Sequence, residues 1–175
     1  MEIKYELLED DYIKFNLYHL RNSSTYKKQV FILKYIVNTV AAISIFCIGS
    51  FIFNQSMLFW LLISILLLII EIKTNDKQNE KREVKQIKKL LKEKDNKFIF
   101  GKKTLKIDNE KIYVKSDLSE EVKDIQSIID IKIYEDLILL YDSSVTAEVI
   151  PTRYLQKNER EEFVNILKNN LNKNT

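Results

Sequence analysis

Cysteine, histidine and proline occur once each in this chain of 175 residues, and glycine twice. The lone cysteine, Cys47, rules out an intramolecular disulfide and reads as a small hydrophobe in an apolar setting. His19 has no second histidine to share a metal with, and its helical neighbours form no ligand set. Gly49 and Gly101 are too few and too far apart for a phosphate-binding glycine loop. The acidic pairs Asp10–Asp11 and Glu120–Glu121 lie near lysines, as solvated faces do. Neither an enzymatic activity nor a cofactor is expected.

The largest absence is of charge. From Tyr35 to Ile70 there is none, so all 28 Lys+Arg and all 25 Asp+Glu lie outside that block. As one helix its thirty-six residues would run about 54 Å, against a hydrocarbon core of about 30 Å. Two spans fit if they borrow flanking residues such as Val30 to Leu33 and Ile72. The break between them belongs at Asn54, Gln55 and Ser56 in FIFNQSMLFW, where polar side chains stay hydrated at an interface that also suits Phe59 and Trp60.

Basic residues then orient the hairpin. Arg21, Lys27, Lys28 and Lys34 precede it, Lys73, Lys77, Lys81 and Arg82 follow it, and the turn has none. The positive-inside rule places both termini in the cytoplasm of a multi-pass cell-membrane protein. Some thirty mixed residues come before the apolar block, and Ile45 and Phe46 are too bulky for a lipoprotein cleavage site before Cys47, so the segment is read as retained. Lys34 and Glu71 border the block; both are expected to snorkel to the headgroups, with an ion pair between them as the alternative. A net charge of +3 does not argue for nucleic acid, and none is expected as a partner.

Around the hairpin, four segments are expected. Residues 1–29 hold a strand, with Ile3, Tyr5 and Leu7 alternating, and a helix over EDDYIKFNLYHLRNS. Residues 30–72 form the hairpin, with its turn near 54–56, and residues 73–97 form a charged connecting helix. On that helix Lys77, Lys81, Lys85, Lys88 and Lys92 line one face beside a stripe of Val84, Ile87 and Leu91. The face is either a solvated surface, supported by Lys77–Glu80 and Lys89–Glu93, or a set of membrane-surface contacts to anionic lipid. The stripe is too short for a coiled coil, though it allows dimerisation.

Beyond Lys97 the period becomes strand-like. KTLKIDNEKIYVKS turns at Asp108, Asn109 and Glu110; SIIDIKIYE, DLILLYD and VTAEVIP follow, about six strands in all; EREEFVNILKNNL closes as an amphipathic helix. Pro151 reads as a strand end before a turn, although Arg153 and Tyr154 beside it invite a functional reading.

DI at Asp124–Ile125, YED at Tyr134–Asp136, IPTRYL at Ile150–Leu155 and EEF at Glu161–Phe163 resemble the C-terminal domain of the YcxB-like family of bacterial membrane proteins. With the preceding strands and the hairpin, the similarity covers most of the chain. It implies, for residues 98–175, a pleckstrin-homology-like antiparallel β domain closed by a C-terminal helix. MEIKYEL is then available as an added strand, because a hairpin returns the chain to the same side of the membrane. The expected fold is an α+β membrane protein: a two-helix transmembrane hairpin plus that cytosolic domain. The expected role is a membrane-anchored binding or scaffolding module, whose partners are membrane lipids, another membrane protein or a second copy. The competing role is transport or pore formation by an oligomer of hairpins, which the sparse polar residues of the spans disfavour.

Overall fold

The computed structural model describes residues 1–53, 56–93, 99–108 and 110–172. The chain divides into two compact units, one of residues 1–16 and 88–175, the other of residues 17–87. The expected turn residues Asn54, Gln55 and Asn109 lie outside the described residues, as does the side chain of Glu93.

The first unit begins with β1, Glu2–Leu7, in which Ile3, Tyr5 and Leu7 are buried and Glu2, Lys4 and Glu6 are exposed. Period-2 alternation makes this a strand with one core face. It pairs antiparallel with β2, Gly101–Asp108, placing Ile3 opposite Leu105 and Leu7 opposite Gly101. Gly101 has φ +106°, a conformation that glycine adopts without cost, so β2 can start there. β3, Lys111–Ser116, and β4, Glu120–Asp124, complete an antiparallel sheet in the order β1-β2-β3-β4. The added strand expected from MEIKYEL is thus the edge strand beside β2.

A 3-10 turn, Ile125–Ser127, leads to a second sheet of β5 (Asp130–Ile133), β6 (Leu137–Tyr141) and β7 (Ala147–Pro151), again antiparallel. All five residues of β6 are buried, so this central strand is covered on both faces. Part of the cover is helix α1, Glu9–Asn22, whose Phe15 ring lies 6.3 Å from that of Tyr141. Pro151 does end its strand, and a 3-10 turn, Thr152–Tyr154, follows it. The last helix of the chain, Lys157–Asn172, buries Phe163, Val164 and Leu167 and packs on the Ile125–Ser127 turn. At its start the Gln156 amide donates to the Glu159 carboxylate, half of a capping box.

The second unit is two helical arms. The first arm is α2 (Ser24–Phe31), a π-helical stretch (Ile32–Val37) and α3 (Asn38–Ile52), 29 residues without a break. The second arm is the front part of α4, Met57–Glu93. Both arms are long and apolar enough to cross a membrane. The π stretch loosens the i→i−4 ladder at Lys34, and the Asn38 side chain compensates by donating to the Lys34 carbonyl at 3.0 Å.

The arms touch through small residues. Ala42, Gly49 and Ser64 are buried, and an added Cβ on Gly49 would lie 2.2 Å from the Trp60 indole. Glycine is required there so that the ring can lie against the α3 backbone.

With helices α1 to α4 and β1 to β7 named, the C-terminal helix is α5. The chain is α+β: two long apolar helices, two antiparallel sheets and a closing helix.

Candidate functional site

Three constellations of polar side chains emerge, two in the β unit and one between the helical arms.

Inside the β unit, Tyr5 on β1, Lys103 on β2 and Glu148 on β7 meet around one carboxylate oxygen. The Tyr5 hydroxyl donates to Glu148 Oε1 at 2.7 Å and the Lys103 ammonium does so at 3.1 Å. Tyr5 and Lys103 stand opposite each other in the β1–β2 register, and Glu148 reaches them from the other sheet. The triad therefore ties the two sheets together in a setting where unpaired groups would be costly.

Burial pushes the Tyr5 phenol well above its ordinary 10.0, reinforced by the Glu148 charge and hydrogen bond. Because the folded state raises this pKa, the associated stability is complete below pH 10 and is lost as pH rises from there toward the folded value. Tyr5→Phe is expected to cost about 1.5–3 kcal/mol at neutral pH, as for a hydrogen bond to a charged acceptor. It should also flatten the alkaline limb of the stability curve. Chemical denaturation at pH 8 and pH 11 checks both; an unchanged alkaline slope would remove Tyr5 as its source.

Asp11 is a buried charge, with its side chain only 5% exposed. Arg153 grips it with two guanidinium nitrogens, at 2.6 and 2.8 Å, and donates to the Glu6 carbonyl at 2.9 Å. The Leu8 amide also donates to Asp11. Lys14 pairs with Asp136 at 2.8 Å. These bonds fasten the first turns of α1 to the β unit, so Arg153 beside Pro151 has a structural partner.

Between the arms of the second unit runs a polar ladder. Lys34 pairs with Asp76 at 2.7 Å, Arg21 pairs with Glu80 at 3.1 Å, and the Tyr26 hydroxyl donates to Glu83. Arg21, Tyr26, Val30, Asp76, Asn79, Glu80 and Glu83 line a cleft of about 250 Å³. Lys34 takes Asp76 as its partner, five residues beyond the Glu71 weighed from the sequence. Glu80 faces Arg21 rather than forming the expected pair with Lys77. Asp76, Glu80 and Glu83 recur at helical spacing, a signal visible in the sequence, but nothing local revealed that Arg21 and Tyr26 would face them.

The five lysines of the expected surface face, Lys77, Lys81, Lys85, Lys88 and Lys92, all lie on α4 and all are exposed. The expected connecting helix is continuous with the second apolar span, a single helix of 37 residues and about 55 Å. Cys47 is exposed on α3. Among the described residues no group of three His, Cys, Asp or Glu side chains is placed to hold a metal ion.

Comparison with known protein families, with curated proteins and with solved structures returns no match.

Proposed function

We propose that this chain is a membrane-anchored binding and scaffolding module, in which a two-helix transmembrane hairpin is inserted between the first two strands of a pleckstrin-homology-like domain. The observation that carries the reading is the pairing of β1 with β2 along six residues of register, one strand lying before both apolar helices and the other after them. Strands hydrogen-bonded in one sheet share a compartment, so an even number of spans must separate them. Two apolar helices meet that condition as a hairpin, with the β unit in the cytoplasm by the basic residues at the hairpin's base.

Exposure supports lipid as the surrounding medium. Phe51 is 88% exposed and Leu58 70%, and outward-facing apolar side chains continue along both arms. Water would penalise such a surface, whereas hydrocarbon does not. Two sheets of four and three strands with a helix after the last strand agree with the pleckstrin-homology-like arrangement. Tethering is favoured over pore formation because the hydroxyls of Ser44 and Ser64 donate to the carbonyls of Val40 and Trp60 on their own helices.

The continuity of α4 narrows the lipid contacts. Measured from Glu71, Lys77 lies about 9 Å along the helix and Lys81 about 15 Å, whereas Lys92 lies about 32 Å away, or about 24 Å with a 40° tilt. With a screening length of about 8 Å, anionic headgroups attract Lys77 most strongly, and the attraction fades from Lys81 onward.

In a Cys47→Ser background, Ser56→Cys should react with a membrane-impermeant maleimide on intact cells, and Lys92→Cys only after permeabilisation. Equal protection of both positions, or labelling of Lys92→Cys from outside, would overturn the topology.

A further inference from the structure

Among the described residues, the outer edge of β5 has no strand beside it. β5 is the end strand of its sheet and pairs with β6 alone. The Tyr134 amide donates to the Leu137 carbonyl at 2.8 Å, which sets the phase of the ladder. Over Asp130–Ile133 alternation then directs the amide and carbonyl of Lys132 and Asp130 toward β6, and those of Ile131 and Ile133 outward; at Ile129 the amide turns inward again, to the Tyr141 carbonyl at 2.8 Å. Ile129 is 64% exposed and Ile133 41%, and Ile131 is half-buried, so an apolar row accompanies the open edge. An edge of this kind, without proline, is a template for another strand.

We propose that β5 is the seam of a two-fold symmetric dimer, pairing antiparallel with β5 of a second copy and placing Ile131 opposite Ile131. The sequence Ile129-Asp130-Ile131-Lys132-Ile133 is self-complementary when reversed. Centred on Ile131, Ile129 meets Ile133 of the other copy and Asp130 meets Lys132, twice over by symmetry. Both copies offer the outward amide and carbonyl of Ile131, so the central pair is hydrogen-bonded.

Shifting the register by two in either direction opposes Lys132 to Lys132 or Asp130 to Asp130, and like charges directly opposite destabilise a sheet. Charge thus selects one register, and the exchange of identical surfaces closes after two copies.

β4, an end strand of the other sheet, is a poorer seam. β4 reads Glu-Glu-Val-Lys-Asp, so self-pairing about Val122 would oppose Glu120 to Asp124. Its Lys123 is already held by Asp142 at 2.6 Å and by Glu121 at 3.2 Å. In β5 Lys132 pairs with Asp130 at 3.0 Å on an exposed surface, and such a pair exchanges partners at little cost. The dimer adds self-association to the proposed function and stands on the β unit, independent of the hairpin's topology.

The test uses the full chain in native membranes with Cys47→Ser. Across a hydrogen-bonded antiparallel pair the Cα atoms lie about 5.5 Å apart, within disulfide range, so Ile131→Cys should oxidise to a covalent dimer. Leu118→Cys, more exposed than Ile131 but off the edge, should give at least fivefold less.

Asp130→Lys alone and Lys132→Asp alone should each lower the Ile131→Cys dimer at least fivefold, since each opposes like charges twice. Co-expressing the two reversed chains with different tags should restore cross-linking between the tags. No dimer at Ile131→Cys, equal cross-linking at Leu118→Cys, or indifference to charge reversal would each overturn the seam.

Discussion

A chain lacking residues 1–8 is expected to lose the fold of its β unit while keeping both apolar arms. β1 contributes Ile3, Tyr5 and Leu7, each at most 4% exposed, to the interior. Burial of three such side chains is worth about 5–9 kcal/mol, against a total stability of about 5–15 kcal/mol for a domain. The deletion also removes one arm of the Tyr5–Lys103–Glu148 triad and leaves β2 with an unpaired edge. Hydrogen exchange over residues 101–108 is the measurement of choice, because Trp60, the only tryptophan, belongs to the other unit and does not report on the sheet. Protection of that peptide should collapse. Leu7→Ala, at a position 2% exposed, provides a milder version at about 2–5 kcal/mol. Unchanged protection in the deletion would mean that β1 is dispensable, and the carrying observation for an inserted hairpin would go with it.

Arg153→Met is expected to be the most damaging single change at a partly exposed residue. It leaves the Asp11 carboxylate buried with the Leu8 amide as its remaining donor. Stranding a buried charge costs about 3–5 kcal/mol, and the exposure of Arg153 argues for the lower end. Arg153→Lys keeps the charge but loses the two-pronged grip, so its cost should be intermediate. Asp11→Asn should suffer less from Arg153→Met than the native chain does, because no charge is left stranded. A double-mutant cycle followed by chemical denaturation reads that coupling. Additive effects would show that the pair contributes nothing beyond its separate side chains.

Both predictions concern one end of β1 and the start of α1, where the chain leaves the sheet for the helical arms. Arg153 bonds the Glu6 carbonyl on β1 as well as Asp11 on α1, so a single guanidinium holds the strand and the first helical turn together. The arms are held in turn by Lys34–Asp76 and Arg21–Glu80 beyond their apolar stretches. Exposed ion pairs contribute little individually, and the close contact of Gly49 with Trp60 contributes the shape that keeps the arms side by side.

The elements of this protein were legible because each is written in short-range spacing. A charge-free block too long for one span and broken by polar residues implies two apolar helices. Alternation at Ile3, Tyr5 and Leu7 implies a strand with one buried face, and the pattern at Phe163, Ile166 and Leu167 implies a covering helix. These signals depend on neighbours two to four residues apart and need no knowledge of the rest of the chain. Composition changes at Glu71 and sets the connecting helix apart in the sequence, yet backbone hydrogen bonds carry α4 through that change without a break.

Partners were the part that only the tertiary structure decided. That β1 pairs with β2 across more than ninety intervening residues, that Tyr5 and Lys103 share Glu148, and that Asp11 meets Arg153 are choices among many chemically equivalent groups. The sequence by itself determined which residues form helices, which form strands and where charge ends. Which strand lies beside which, and therefore which edge stays open, follows from closing the whole fold at once, because a strand's hydrogen-bonding groups are the same in every residue but proline and packing selects their partners.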